Sequence, residues 1–305
     1  MEKPKRRDGR TMKKGDEKMK RVVCLISVLV MALISLCGCS IYYTYKDADQ
    51  YEHGSGVITE EINRLDVEWL QGEVQVLPAP EGVETVVLEE SANQSMSKNA
   101  EVHYLVDGKT LKIRYAKSGE ALLVMLRKNL KIYVPNKLLS MEIESESADV
   151  RIGKVETEDC VIRVASGDGR VDGMVVTRHM ACEFLSGNLR GSANCAGADL
   201  EFKTGDGLID FAPTACRNFS VVIARGDVTL TFDECPASGG FEMAGGKMSL
   251  YLPEESDFTL TMEVLSGSLN TDFEYEKDGK HYVFGEGTNR FDARAASGSV
   301  NIYKK

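Results

Sequence analysis

The sequence predicts an all-β fold, a single-stranded β-helix or β-solenoid with coils of about 20 residues, and three observations predict it. A turn signal recurs at a near-constant interval, the residues before each turn alternate apolar and polar, and the same residue types return at the same places. The clearest units run from Val161 to Asp168, Leu200 to Asp206, Val221 to Asp227 and Met262 to Ser268. Aligned on the turn, they place Ala148, Gly167, Gly187, Gly205, Gly226, Gly246, Gly267 and Gly298 in one row, at intervals of 19, 20, 18, 21, 20, 21 and 31 residues. Five residues earlier stand Ile143, Ile162, Cys182, Leu200, Val221, Phe241, Met262 and Ala293, all apolar. Three residues earlier stand Ser145, Val164, Phe184, Phe202, Ile223, Met243, Val264 and Ala295, apolar in all but the first. Between these rows lie Glu144, Arg163, Glu183, Glu201, Val222, Glu242, Glu263 and Arg294, a polar row that only Val222 breaks. An antiparallel sandwich has no need to repeat both faces at a fixed period, whereas stacked coils set each position above the last.

The elements follow in chain order. Residues 1–21 carry ten Lys or Arg against four acids, and Val22 to Leu36 is uncharged. Fifteen uncharged, mostly apolar residues are short for a membrane span and suit a signal peptide. The run closes on Leu36-Cys37-Gly38-Cys39, which has the form of a lipobox, so residues 1–38 read as a lipoprotein signal peptide and Cys39 as the lipidated N-terminus. Met12 and Met19 are alternative starts to Met1. Residues 39–56 show no sustained period and read as a tether, with Tyr42, Tyr43 and Tyr45 placed either in it or at the lipid interface. The domain is expected over residues 57–305. Val67, Trp69, Gly72, Val74 and Val76 already carry the coil pattern with Trp69 inward, and Asp107-Gly108 marks a hairpin between strands at 102–106 and 110–115. Residues 118–128 read as a short helical or looping cap, and 130–134 as a strand. Gly at the turns supplies positive φ, Gly169 and Gly207 mark coils with an extra turn residue, and residues 274–287 form an excursion around Asp278-Gly279.

These motifs carry a resemblance. A lipobox, Gly-centred turns between alternating strands, Leu130 to Pro135 before the first regular coil, and the ending Ala296 to Ile302 are similar to the bacterial putative-adhesin family, a domain of unknown function. The resemblance covers most of residues 57–305 and implies the solenoid fold, a surface location and no catalytic residues. The chain departs from the pattern at Arg225-Gly226 and Gly245-Gly246, where the family usually has Ser-Gly.

Charge narrows the function. Beyond residue 21 the chain holds 27 basic and 43 acidic residues, an excess that repels phosphate backbones and excludes nucleic acid as a partner. Asp149, Asp168, Asp206 and Asp227, with Asn188, are expected to stack along the turn edge. They are the only candidates for a cation such as Ca²⁺, yet each is also explained as a turn former, and neither an EF-hand nor a nonapeptide repeat is present. His53, His103, His179 and His281 lack ligand spacing, and no nucleophile-base motif, P-loop or dinucleotide fingerprint occurs. No catalytic residue, metal or cofactor is therefore expected. Of the cysteines, Cys195, Cys216 and Cys235 sit at similar distances before their turns and stack on successive coils. With Cys160 and Cys182 they form either a buried thiol ladder or one disulfide; three stacked sulfurs also suit a soft metal. The expected protein is lipid-anchored at the extracytoplasmic face of the cell membrane, a non-catalytic adhesin-like module binding an envelope glycan or a membrane protein. The alternatives are an envelope-sensing lipoprotein acting with a membrane signalling partner, and a carbohydrate-active β-helix enzyme.

Overall fold

The computed structural model describes residues 43–120, 126–135 and 137–305; the apolar run Val22 to Leu36 and Cys39 lie outside them. It holds 21 strands and one three-residue 3-10 turn, Ala48–Gln50. No helix among the described residues is long and apolar enough to cross a membrane.

The chain winds as a solenoid. Each coil contributes one strand to a first sheet, bends at the glycine row, contributes a second strand to a second sheet, and returns through a loop. Asp199–Thr204 pairs in parallel with 179–184 on one side and Asn218–Ile223 on the other, while Leu208–Pro213 lies between Leu189–Asn194 and Asp227–Thr231. Alternation follows from this. Ile162, Cys182, Phe202, Val221 and Phe241 stack in one inward row, Val164, Phe184, Ile223 and Met243 in the next, all buried between the sheets.

The register corrects one coil. Cys182 and Val221 both pair with Phe202, and Gly207 stacks on Gly187 and beneath Gly226, so Gly207 and not Gly205 is the turn glycine of its coil. The signal two residues early came from Thr204, an inward hydroxyl that bonds the carbonyl and amide of Gly207 at 3.2 and 3.1 Å. Ser145 does the same to Ala148 at 3.2 and 2.8 Å. Gly169 is not an extra residue either. It pairs with Val150 and Leu189 in an inward row, and a Cβ there would lie 2.3 Å from the Phe184 ring. The turn glycines are demanded by close stacking more than by φ. Gly187 has φ 143° and a Cβ on it would lie 1.9 Å from the Gly167 carbonyl oxygen; Gly207 lacks a positive φ, yet its Cβ would lie 1.8 Å from Gly187.

Both ends depart from sequential stacking. At the C-terminal end Asn289–Lys304 pairs with Ser238–Met243 and Lys247–Leu252 on one edge and with Phe258–Thr271 on the other. The last strand in chain order is thus the penultimate of the parallel strands in space, and Gly298 sits between Gly246 and Gly267. At the N-terminal end Arg64–Pro78 lies between Lys137–Ile152 and the pair Thr110–Arg114 and Lys128–Val134. Antiparallel strands then cover the outer edges. The hairpins around Gly108 and Gly279 form as expected, whereas Lys128, expected in the cap, already belongs to a strand.

The N-terminal end is closed by an unusual box. Lys128 is fully buried, its ammonium 2.7 Å from Glu90 Oε1, donating to the carbonyls of Ala100 and Tyr115, and 4.8 and 4.2 Å from the Trp69 and Tyr115 ring centroids. Trp69 Nε1 donates to the Lys128 carbonyl at 3.2 Å, and Gly72, at φ 106°, leaves room for that same carbonyl. Residues 43–56, expected as tether, belong to the packed body. Tyr43 is buried with its hydroxyl 3.4 Å from Glu68, Tyr45 meets it edge-on and Tyr51 lies tilted against Tyr45, and Glu52–His53 and Gly56–Ile58 pair as edge strands. Tyr43 and Tyr45, expected either in a tether or at the lipid interface, find their apolar surroundings in the domain itself.

Candidate functional site

Three depressions join across the outer face of the first sheet. One, of about 550 Å³, is lined by Arg64, Asp66, Glu142, Asp159, Arg178 and His179. It meets a smaller one of about 130 Å³ at Val161 and His179, and Glu183 and Lys203 lead on into the largest, about 1010 Å³. The result is one trough across successive coils, polar at the N-terminal end and apolar at the other.

Register explains both characters. Across the sheet the outward row reads Arg114, Glu68, Glu144, Arg163, Glu183, Lys203, Val222, Glu242, Arg294 and Glu263, largely alternating in sign. Arg163 lies 2.7 Å from Glu144, Arg294 3.1 Å from Glu242, and Lys203 2.7 Å from Glu201. Exposed pairs of this kind contribute about 0–1 kcal/mol each, so the ladder chiefly keeps like charges apart between coils. Arg114 differs, being buried and held by Asp66 at 2.8 and 3.1 Å, which keeps its guanidinium charged.

Two residues nearer the turn, just past the paired positions, the largest depression is lined by Leu185, Gly205, Ala224, Ala244, Ala296 and Leu265, one from each coil. The small residues form a floor and the leucines stand at its ends, Leu185 44% and Leu265 91% exposed, with Val222 at 39% beside them. A span of five coil steps is about 24 Å. Val222 was visible in the sequence as the one break in the polar row. Leu185 and Leu265 were not, because only the stacking order sets them at opposite ends of one row.

The expected acidic row is interrupted. Asp149, Asp168 and Asn188 do stack, but each side-chain oxygen accepts the next coil's amide, at 2.9, 3.0 and 3.3 Å, ending on Leu208. Asp227 then faces Leu208 and Lys247, and Asp206 lies in another row, accepting from Arg225 Nε and Nη2 at 2.8 and 2.9 Å. The reason is the two-residue register correction at Gly207. Among the described residues no group of three or more His, Cys, Asp or Glu is arranged to hold a metal ion.

Cys160, Cys182, Cys195, Cys216 and Cys235 are free thiols, the last half-buried and the others buried. Cys195 lies close enough to Cys160, Cys182 and Cys216, and Cys235 to Cys216, for charge on one to be felt by the next. Burial pushes all five thiols up, Cys195 to about 12, which suppresses the thiolate that reacts or ligates. Of the histidines, His53 and His103 meet at 5.9 Å beside Glu101, and burial lowers the pKa of His103. His179 lines the trough, and His281 is exposed on the last hairpin.

A family model described as Toastrack DUF4097 matches residues 62–303. The chain belongs to the Toastrack family. No curated protein matches it. Among solved structures, a "putative adhesin" from Bacteroides fragilis is 14% identical, with a TM-score of 0.48, over 82% of this chain and 97% of that one. A "putative cell adhesion protein" from Clostridium sporogenes is 17% identical, with a TM-score of 0.27, over 83% of this chain and all of that one. The Toastrack match begins at Ile62, after the edge strands Glu52–His53 and Gly56–Ile58.

Proposed function

We propose that this Toastrack protein is a non-catalytic, adhesin-like binding module, lipid-anchored through Cys39 at the extracytoplasmic face of the membrane, and that the trough on its first sheet is the face it presents. The observation that carries the reading is the continuity of that trough. A solenoid displays rows, and here one row of charges and one of small apolar residues run side by side for several coils, which suits an elongated ligand with a polar and an apolar side. The ionised groups along it neutralise one another, as in a recognition surface.

Two measurements test the parts separately. Cys39→Ala removes the thiol at the cleavage position of the lipobox, so palmitate labelling and leader cleavage should both disappear; labelling that persists refutes the anchor. For the trough, Val222→Asp combined with Leu265→Asp sets two charges on its apolar wall. Retention of isolated envelope fragments by cells displaying the full chain should fall by about tenfold or more, the equivalent of roughly 1.4 kcal/mol. Both side chains are exposed, so the fold should persist; unchanged retention would place binding elsewhere.

A further inference from the structure

The inner edge of Phe258–Thr271 is paired along its length with Asn289–Lys304. Its outer edge is covered only from Phe258 to Thr261, by His281–Phe284, and Met262 N then donates to the Lys280 carbonyl at 2.9 Å. From Glu263 to Thr271 no strand among the described residues pairs with it.

Exposed edges are normally blunted by charge, proline or shortness. The other outer edges of this molecule obey that rule: Glu52–His53 and Gly56–Ile58 are two and three residues long, and Glu276–Asp278 is Glu-Lys-Asp. Val264 to Thr271 reads Val-Leu-Ser-Gly-Ser-Leu-Asn-Thr, with neither charge nor proline. A second, independent observation concerns the core. Met262, Val264 and Leu269 hold the inward places of this coil but remain half-exposed, whereas Ala293, Ala295 and Val300, their neighbours one strand inward, are buried. The inward rows stop one strand short of being covered.

We propose that this edge, residues 263–271, is a strand-pairing site that takes an extended, uncharged segment of a partner protein as one more strand of the solenoid. The chemistry selects the occupant. A row of alternating amides and carbonyls in extended backbone is matched in spacing and register by another polypeptide strand, and covering Val264 and Leu269 requires apolar residues at alternate positions of that strand. The molecule already contains such a segment: Ala295 to Ile302 is uncharged and pairs with Val264 to Thr271 on the inner edge, Gly298 against Gly267.

An octapeptide with the sequence of residues 295–302, carrying a fluorophore, is therefore the probe. Added to the full chain in detergent, it should bind saturably by anisotropy and slow hydrogen exchange at the amides of 263–271 and nowhere else. Ser266→Lys with Ser268→Lys changes only exposed side chains; it should weaken binding by about tenfold or more with the thermal midpoint unchanged. A peptide with proline in place of its sixth residue should not bind. Failure to saturate, protection elsewhere, equal affinity for the lysine variant, or protection of 263–271 without peptide through pairing of two copies would each overturn the proposal.

Discussion

Phe202→Asp and Ile223→Asp are each expected to abolish the cooperative thermal transition of the domain, while Glu201→Lys shifts its midpoint by only a few degrees. Phe202 and Ile223 occupy adjacent inward rows at 0% and 1% exposure, and Phe202 packs on Phe211 at 5.4 Å between ring centroids. An aspartate there either buries an uncompensated charge, at several kcal/mol, or forces the sheets apart, and that cost is comparable to the whole stability of a typical domain, about 5–15 kcal/mol. Coils share one continuous core, so the damage does not stay within one turn. Glu201 lies one residue away on the outer face and loses a half-exposed pair with Lys203 and a 4.0 Å approach to His179, worth about 0–1 kcal/mol each. Equal midpoints for the three variants in calorimetry would show that the inward and outward rows are wrongly assigned.

Glu90→Gln should be nearly as damaging, and Lys128→Met added to it should restore much of the loss. The Lys128 side chain is 0% exposed and that of Glu90 3%, so the single change leaves a buried ammonium without its counter-charge, a cost of about 3–5 kcal/mol. Replacing both partners removes the charge with its counter-charge and keeps the apolar stem between Trp69 and Tyr115. The sign of the pH effect follows from burial, which lowers the pKa of Lys128 to about 8 from 10.5. The folded chain releases this proton before the unfolded chain does, so the penalty is full below pH 8 and fades as pH rises toward 10.5. Losing Glu90, which raises this pKa, moves the start of that window further down, so melts of Glu90→Gln at pH 7 and 9.5 should show a gain on the alkaline side that the double variant lacks. A double variant no more stable than the single one would mean that the ion pair itself, and not the unpaired charge, sets the stability.

The period and the two faces were legible because they are local. Each strand writes its own alternation, and Val164, Phe184 and Ile223 could be set in a row without knowing what they touch. Strand order at the ends was not legible, because Gly267 and Gly298 carry the same turn signal and either fits against Gly246; only the excursion between them decides. The register at Gly207 was hidden by chemistry and not by distance. Thr204 is a polar residue in an apolar row, tied to the turn by its hydroxyl, so the sequence pattern slipped by two and kept its parity. That slip is also why Asp206 was aligned with Asp168 and Asp227. The trough depends on Leu185 and Leu265, 80 residues apart in sequence, and is a property of stacking alone.

The intercalated final strand gives the molecule a sense of completion. Synthesis proceeds from the N-terminus, and coils as far as Leu252 can add in order as they emerge, each closing on its predecessor. Phe258–Thr271 cannot, since its only full-length neighbour among the described residues, Asn289–Lys304, is made after it. A nascent chain must hold that strand in reserve until residues 289–304 arrive and slide between it and the body. A chain that stops early is therefore not a shorter solenoid but an unfinished one, with two raw edges in place of a seam, and is marked out for proteolysis by the same geometry that seals the finished protein.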